Sequence, residues 1–312
     1  VKILGVLPSY PPNSRVGAWI TTHEYLAGLV ARGHQVDVIV QISNELVQPT
    51  YDLDGVHVHP RTWDQYAHHL VISHLGDNHE GAFAAQRAGV PSVRMVHGFD
   101  PQGAVKLDQT PTALAVFSSA ALAKDTGWHG NQMVAHPPVR RTDYETTTGP
   151  RVTLINLNPQ KGGKLLAQIA EATPDVDFLG VKGWGRFQQV TQPWNVEVID
   201  PAEDVREVFC RTRILLMPSD YESYGRVAVE AACSGIPTIA HPSPGLREAM
   251  GDAATWVDRT DLAGWVKAIR WMQEPGAWTE ASRRSRRAIQ TDPEATISAV
   301  VDAIEATVKV AA

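Results

Sequence analysis

The segment from Met217 to Ala240, MPSDYESYGRVAVEAACSGIPTIA, joins an apolar run, a polar turn and a helical pattern, and carries two glutamates, Glu222 and Glu230, eight positions apart. A turn that leaves a parallel strand and enters a helix presents backbone N–H groups with no intrahelical partner. The stretch through Ser223, Tyr224, Gly225 and Arg226 therefore offers positive potential to an anion such as a phosphate. Gly225 lets backbone approach a ligand closely, and Gly235 with Pro237 ends the helix. Carboxylates beside a diphosphate would repel it; as bidentate acceptors they suit vicinal hydroxyls, one set on a ribose and one on a sugar. On spacing alone, such a pair is more often a solvated helix face. A candidate cation, Lys161, precedes Gly162 and Gly163 where a strand turns into a helix, a position from which it can neutralise charge gathering on a departing nucleotide. Taken singly, it too is more often a surface charge.

The elements that must position these residues alternate along the chain. VKILGVL reads as a buried strand ended by prolines, followed by a helical pattern from about Ile20 to Ala31, a stop at Gly33 and a strand at Val36 to Val40. Strand, helix, strand is a right-handed parallel βαβ unit. The grammar returns in HLVISHL, in a helix through Ala82 to Ala88, and in the strands of PSVRMVHG and TALAVFSS. The pattern dissolves into RRTDYETTTGP, the best linker in the sequence, and a second α/β alternation begins at RVTLINL. The last stretch spaces Ile297, Val300, Val301, Ile304 and Val308 as an amphipathic helix does.

ESYGRVAVEA, with SGIPTIA and then GLRE at Gly245 to Glu248, resembles the E-x7-E region of retaining glycosyltransferases of family 4, which have the GT-B fold. The resemblance implies that Glu230 binds the nucleotide ribose, that Glu222 contacts the donor sugar, and that the amides from Ser223 to Arg226 face sugar and phosphate. LPSYPPNSRVGAW is similar to the family's first strand and glycine-rich loop, with Gly17 retained and Ala18 where a second glycine is usual; Trp19 beside that loop is a candidate for sugar stacking. VISHLGDNHEGAFAAQRAGVPSVRMVHG resembles the stretch ending in a sugar-contacting histidine, here His97, with His74 matching an earlier one. INLNPQKGG resembles the phosphate-binding strand end, with Lys161 as the cation opposite the diphosphate and Asn156 at the place where typical members carry an arginine. The implied architecture is two Rossmann-like, doubly wound α/β domains facing across a cleft. Residues 1–145 would serve the acceptor and 146–293 the nucleotide sugar, with a helix at about 294–312 packing back on the first domain. The implied activity is metal-independent, retaining transfer of a hexose from a nucleotide diphosphate sugar, with no cofactor, to a hydroxyl on a saccharide, lipid, protein or modified nucleic acid. Sugar-nucleotide epimerases, phosphorylases and a catalytically silent nucleotide-sugar-binding chain would share that architecture.

Bulk properties agree with small ligands. The 312 residues are enough for two cores, and a formal charge of -6 argues against an extended basic face for nucleic acid. Only two cysteines, no basic leader and no apolar run of about 18 residues lead to the expectation of a cytoplasmic protein. Asp52-Leu53-Asp54 spells a metal-binding DxD, but Asp54-Gly55 between short β-like runs reads as a hairpin turn, and His57 and His59 lack the cluster that completes a metal site. No metal is expected. Gly183-Trp184-Gly185 lacks the third glycine of a dinucleotide fingerprint. Arg283, Arg284, Arg286 and Arg287 form a basic run that could make a weak peripheral surface contact, though a solvated helix face is the commoner explanation.

Overall fold

The structure is a computed structural model and describes residues 1–41, 50–60, 68–74, 80–98, 107, 109–183, 188, 192–289 and 292–311. The Trp184-Gly185 part of the partial fingerprint lies outside these. The chain forms two compact units, one of residues 1–138 with 292–312 and one of residues 139–291.

In the first unit the elements run β1 (Lys2–Leu7), α1 (Gly17–Ala31), β2 (Gln35–Val40), β3 (Tyr51–Leu53), β4 (Val56–Pro60), β5 (Leu70–His74), α2 (Glu80–Ala88), β6 (Ser92–Val96), β7 (Leu114–Phe117), α3 (Ala120–Thr126) and β8 (Gln132–Val134). They build a sheet of order β3-β4-β2-β1-β5-β6-β7-β8, parallel except for the β3–β4 hairpin. Asp54 and Gly55 both have positive φ in that hairpin, as a tight two-residue turn requires. Asp52 pairs across it with His57, Asp54 lies 2.9 Å from His23 of α1, and His59 bonds Asp37 at 3.0 Å, so each of these side chains has a partner within the unit. The strand order reverses direction between β1 and β5, which makes that edge the switch point where an open α/β sheet binds ligands. The C-terminal helix, Pro293–Ala311, belongs to this unit: Ile297, Val300, Val301 and Ile304 share a core with Tyr25, Leu26 and Leu29 of α1. Close approach is possible because Gly28 has no Cβ, which would lie 2.7 Å from Ile297. Arg32 with Asp302 and His34 with Glu305, each at 2.9 Å, rim the contact.

The second unit begins with α4 (Arg141–Tyr144) and continues β9 (Arg151–Ile155), a 3-10 turn (Pro159–Lys161), α5 (Gly163–Ala172), β10 (Phe178–Val181), β11 (Val196–Ile199), α6 (Arg206–Phe209), β12 (Thr212–Met217), α7 (Arg226–Cys233), β13 (Thr238–Ala240), α8 (Pro244–Met250), β14 (Thr255–Trp256), α9 (Leu262–Gln273) and α10 (Pro275–Ser285). Its all-parallel sheet has the order β11-β10-β9-β12-β13-β14, so the switch point lies between β9 and β12. The chain enters this unit earlier than the boundary at 145/146 read from composition. Val139 is fully buried with Phe209 and Leu215, and Tyr144 is bonded to α7. The polar, linker-like composition of 140–150 conceals a docked segment. Among the described residues no helix is long and apolar enough to cross a membrane.

Candidate functional site

At the switch point of the second unit, two loops meet. The loop after β9 carries Asn156 and Lys161; the loop after β12 carries Ser219, Glu222 and the entry to α7. Lys161 Nζ donates to Glu222 Oε1 at 2.6 Å, and Ser219 Oγ donates to the same oxygen at 2.6 Å. The pair is half-buried, with Lys161 at 32% and Glu222 at 12% side-chain exposure, so both groups remain within reach of a ligand. Two glycines make the meeting possible. Gly162, at φ 99, packs the lysine turn on Pro218, which a Cβ would approach to 2.4 Å. Gly245 seats α8 against the carbonyls of Glu222 and Ser223, each 2.4 Å from where its Cβ would be. Further ties lock the two loops: Asp220 N–H to the Gln160 carbonyl at 2.9 Å, and the Arg259 guanidinium to the Pro159 carbonyl at 2.6 Å, the Gln160 carbonyl at 3.1 Å and the Asp220 carboxylate. Burial lowers the pKa of Arg259 from its ordinary value.

Gly225 caps α7 with φ 92 and ψ 42, a left-handed conformation that aims the first amides of the helix toward the loop. Tyr224 is buried at 4% exposure in the core under α7, so it contributes backbone to the loop while its ring packs inward. Glu230, one turn beyond Arg226, is buried and accepts from Arg226 Nε at 2.7 Å; Arg226 Nη2 donates to the Tyr144 hydroxyl at 2.8 Å. The Arg226 guanidinium is enclosed, at 7% exposure, between Tyr144 and Glu230. Asn156, at φ 76, accepts from the Asn158 N–H at 3.1 Å and shapes the turn.

In the first unit, the residues singled out from sequence gather at the other switch point. Gly17 opens α1, His74 ends β5 and His97 follows β6. Trp19 meets His74 edge-on at 4.8 Å between ring centroids, His74 stacks on His97 at 5.7 Å, and Thr22 Oγ1 lies 3.4 Å from His97 Nε2. Burial, then His97, then the fully buried Arg94 push the His74 imidazole well below its usual pKa, so it is neutral at physiological pH.

Sequence reasoning missed Tyr144, Ser219, Arg259, Thr22 and Arg94. Only Ser219 and the i, i+4 spacing of Arg226 and Glu230 left a local signal. Three of the four arginines in the basic run have internal partners. Arg286 donates to the carbonyls of Cys233 and Ser234 at the end of α7, Arg284 lies over Trp271, and Arg287 pairs with Asp252. Cys210 and Cys233 are free thiols, and burial pushes the Cys233 thiol up to about 11. Among the described residues no group of three or more His, Cys, Asp or Glu could hold a metal ion.

Residues 158–274, which include Lys161, Glu222 and Glu230, match the family model described as Glycosyl transferases group 1. Sucrose-phosphate synthase from Thermosynechococcus elongatus superimposes with a TM-score of 0.80 at 13% identity over 100% of both chains. The Anabaena HepE structure in complex with UDP and glucose superimposes with a TM-score of 0.77 at 16% identity over 99% of both. The chain has the GT-B fold, and residues 158–274 of its second unit are similar to group 1 glycosyl transferases. In sequence, the chain is 39% identical over 72 residues to the D-inositol 3-phosphate glycosyltransferase of Corynebacterium kroppenstedtii, covering 22% of this chain and 16% of that protein. It is 29% identical over 141 residues to the enzyme of the same name from Mycobacterium sp. (strain KMS), covering 38% and 32%. The matched segments thus span less than a third of these relatives' length.

Proposed function

We propose that this GT-B chain transfers a sugar, in the first instance a hexose, from a nucleotide diphosphate sugar to an acceptor hydroxyl with retention of anomeric configuration, without a metal or a cofactor. The observation that carries the reading is the Lys161–Glu222 pair at 2.6 Å, set at the switch point of the unit that matches the group 1 family beside the amides that open α7. In this reading Glu230 accepts the ribose hydroxyls and Glu222 the hydroxyls of the donor sugar. Lys161, which donates to Glu222, takes the diphosphate together with the helix start. The bond from the anomeric carbon to the phosphate oxygen breaks, the bond to the acceptor oxygen forms on the same face, and the acceptor proton passes to the leaving phosphate. Positive charge from Lys161 and the helix amides stabilises that leaving group, the task a metal would otherwise perform. In the same reading His97 is assigned to the sugar and Gly17 to the donor, with Trp19 and neutral His74 assigned to the acceptor. UDP-sugars are the first donors to try, because HepE was solved with UDP and glucose.

The test is incubation with UDP-, GDP-, ADP- and dTDP-glucose in the presence of a chelator and a mixture of saccharide and lipid acceptors, with the anomeric centre of any product followed by NMR. An α-linked product from an α-linked donor supports the reading. Inverted product, or turnover only after a divalent ion is added, contradicts it.

A further inference from the structure

Building on that reading of the site, we propose that Arg226 and Tyr144 are positioning residues for Glu230: they orient its carboxylate as the group that accepts the ribose hydroxyls.

Glu230 and its arginine partner are enclosed together. The glutamate side chain is 8% exposed and that of Arg226 is 7% exposed. An isolated carboxylate buried to this degree takes up a proton, and as a neutral acid it loses half of its capacity to accept from a diol. Arg226 Nε, at 2.7 Å from Oε1, supplies the countercharge from one helical turn away, so the pair is set within α7 itself, apart from the two loops that carry Lys161 and Glu222. The other end of the guanidinium is fixed by the Tyr144 hydroxyl at 2.8 Å, with the ring centroid 5.9 Å from the guanidinium carbon. Burial opposes the charge on Arg226, yet Tyr144 and Glu230 together hold its pKa above the ordinary value.

Tyr144 is itself clamped. Its carbonyl accepts from Ser234 Oγ at 3.0 Å, and Ser234 Oγ in turn accepts from the Thr146 N–H at 2.9 Å. Ser234 is the residue that follows α7, so α4 grips the helix at both ends, with the tyrosine hydroxyl at Arg226 and the tyrosine carbonyl at Ser234. The segment by which the chain enters the second unit is thereby part of the frame that aims Glu230.

The experiment is calorimetric titration with whichever of UDP, GDP, ADP and dTDP the wild-type chain binds, at about pH 6 and about pH 8, on wild type, Arg226→Met, Glu230→Gln, the double variant and Tyr144→Phe. Arg226→Met is expected to weaken binding about 10- to 100-fold, with the loss larger at the lower pH because the uncompensated carboxylate protonates there. Tyr144→Phe is expected to weaken it about threefold to tenfold. In the Glu230→Gln background the arginine substitution is expected to change affinity by less than about twofold, since the group it serves is gone. Penalties that add in the double variant would mean that Arg226 touches the ligand itself, and overturn the proposal. Wild-type affinity in Tyr144→Phe together with an unchanged pH profile in Arg226→Met would also overturn it. Should Arg226→Met not fold, the comparison of Glu230→Gln with the charge-neutral double variant, and the tyrosine variant, decide the matter. Failure of the wild type to bind any of the four nucleotides would fall on the donor-site reading and remove the basis of this proposal with it.

Discussion

Replacing Gly245 by alanine tests how tightly the candidate site depends on backbone packing. Gly245 lies near the start of α8, and a Cβ there would come within 2.4 Å of the carbonyl oxygens of both Glu222 and Ser223. An ordinary contact needs about 3.4 Å, so helix and loop must separate by about 1 Å. The helix side resists, because Leu246 is fully buried, packed under Gly225, and Met250 is in the same core. The loop side is held by Lys161 and Ser219 on the Glu222 carboxylate and by Asp220 on Gln160. The displacement therefore falls on the residues that would touch the donor. A misplacement of about 1 Å at reacting groups costs about a hundredfold in rate, or about 2.7 kcal/mol of transition-state stabilisation. Overpacking costs stability by about 1–3 kcal/mol, a loss of a few degrees in Tm. The assay is kcat/KM from nucleoside diphosphate release, with a melting curve beside it. The control is Gly276→Ala, where an added Cβ meets nothing within 4 Å and kcat/KM should not change. A Gly245→Ala enzyme within about threefold of wild type would refute the packing argument.

Lys161→Met should lower kcat by about 10²–10³-fold, the loss expected when one preorganised charge is removed from a developing anion, and Lys161→Arg should recover part of it; an undiminished kcat in the methionine variant would move the phosphate contact elsewhere. Arg286→Ala removes two bonds to the carbonyls that end α7 and should cost about 1 kcal/mol, or about 2–4 °C in Tm, while nucleotide affinity stays within about twofold; calorimetry and a melting curve check both parts. His74 has a folded-state pKa depressed by burial, so the unfolded chain binds more protons; its contribution to stability is present above the unfolded value of about 6.5 and is lost as pH falls. His74→Phe should flatten the fall of Tm on the acid side of about pH 6.5, and an unchanged slope would contradict the assignment.

The alternation of strands and helices was legible because apolar periodicity is local, and so was the hairpin at Asp54-Gly55, whose residue types suit positive φ. Glu222 and Glu230 were legible as candidates because a strand end, a turn and a helix start follow one another within a few residues, and Lys161, 61 positions before Glu222, stood out through a strand-to-helix turn of its own. What sequence did not disclose is long-range pairing. Tyr144 and Arg226 are 82 positions apart, and Arg259 reaches carbonyls 99 and 100 positions away, so neither leaves a pattern to read. The same distance effect misplaced the unit boundary: residues 140–150 are polar in composition, yet their first part is bonded to a helix that the chain reaches only after four strands of the second sheet have passed. In the basic run, arginines close together in sequence find separate partners on α7, Trp271 and Asp252, which their spacing does not disclose.

The most direct measurement of whether the second unit holds a nucleotide sugar through its two glutamates is a thermal-shift series with UDP-, GDP-, ADP- and dTDP-sugars on wild type and Glu230→Ala, in chelator. A donor at about 100 times its Kd should add about 2.7 kcal/mol to stability. Such a shift is expected for one nucleotide class without metal, and a much smaller one in the variant. No shift from any donor, or an equal shift in Glu230→Ala, would contradict such binding.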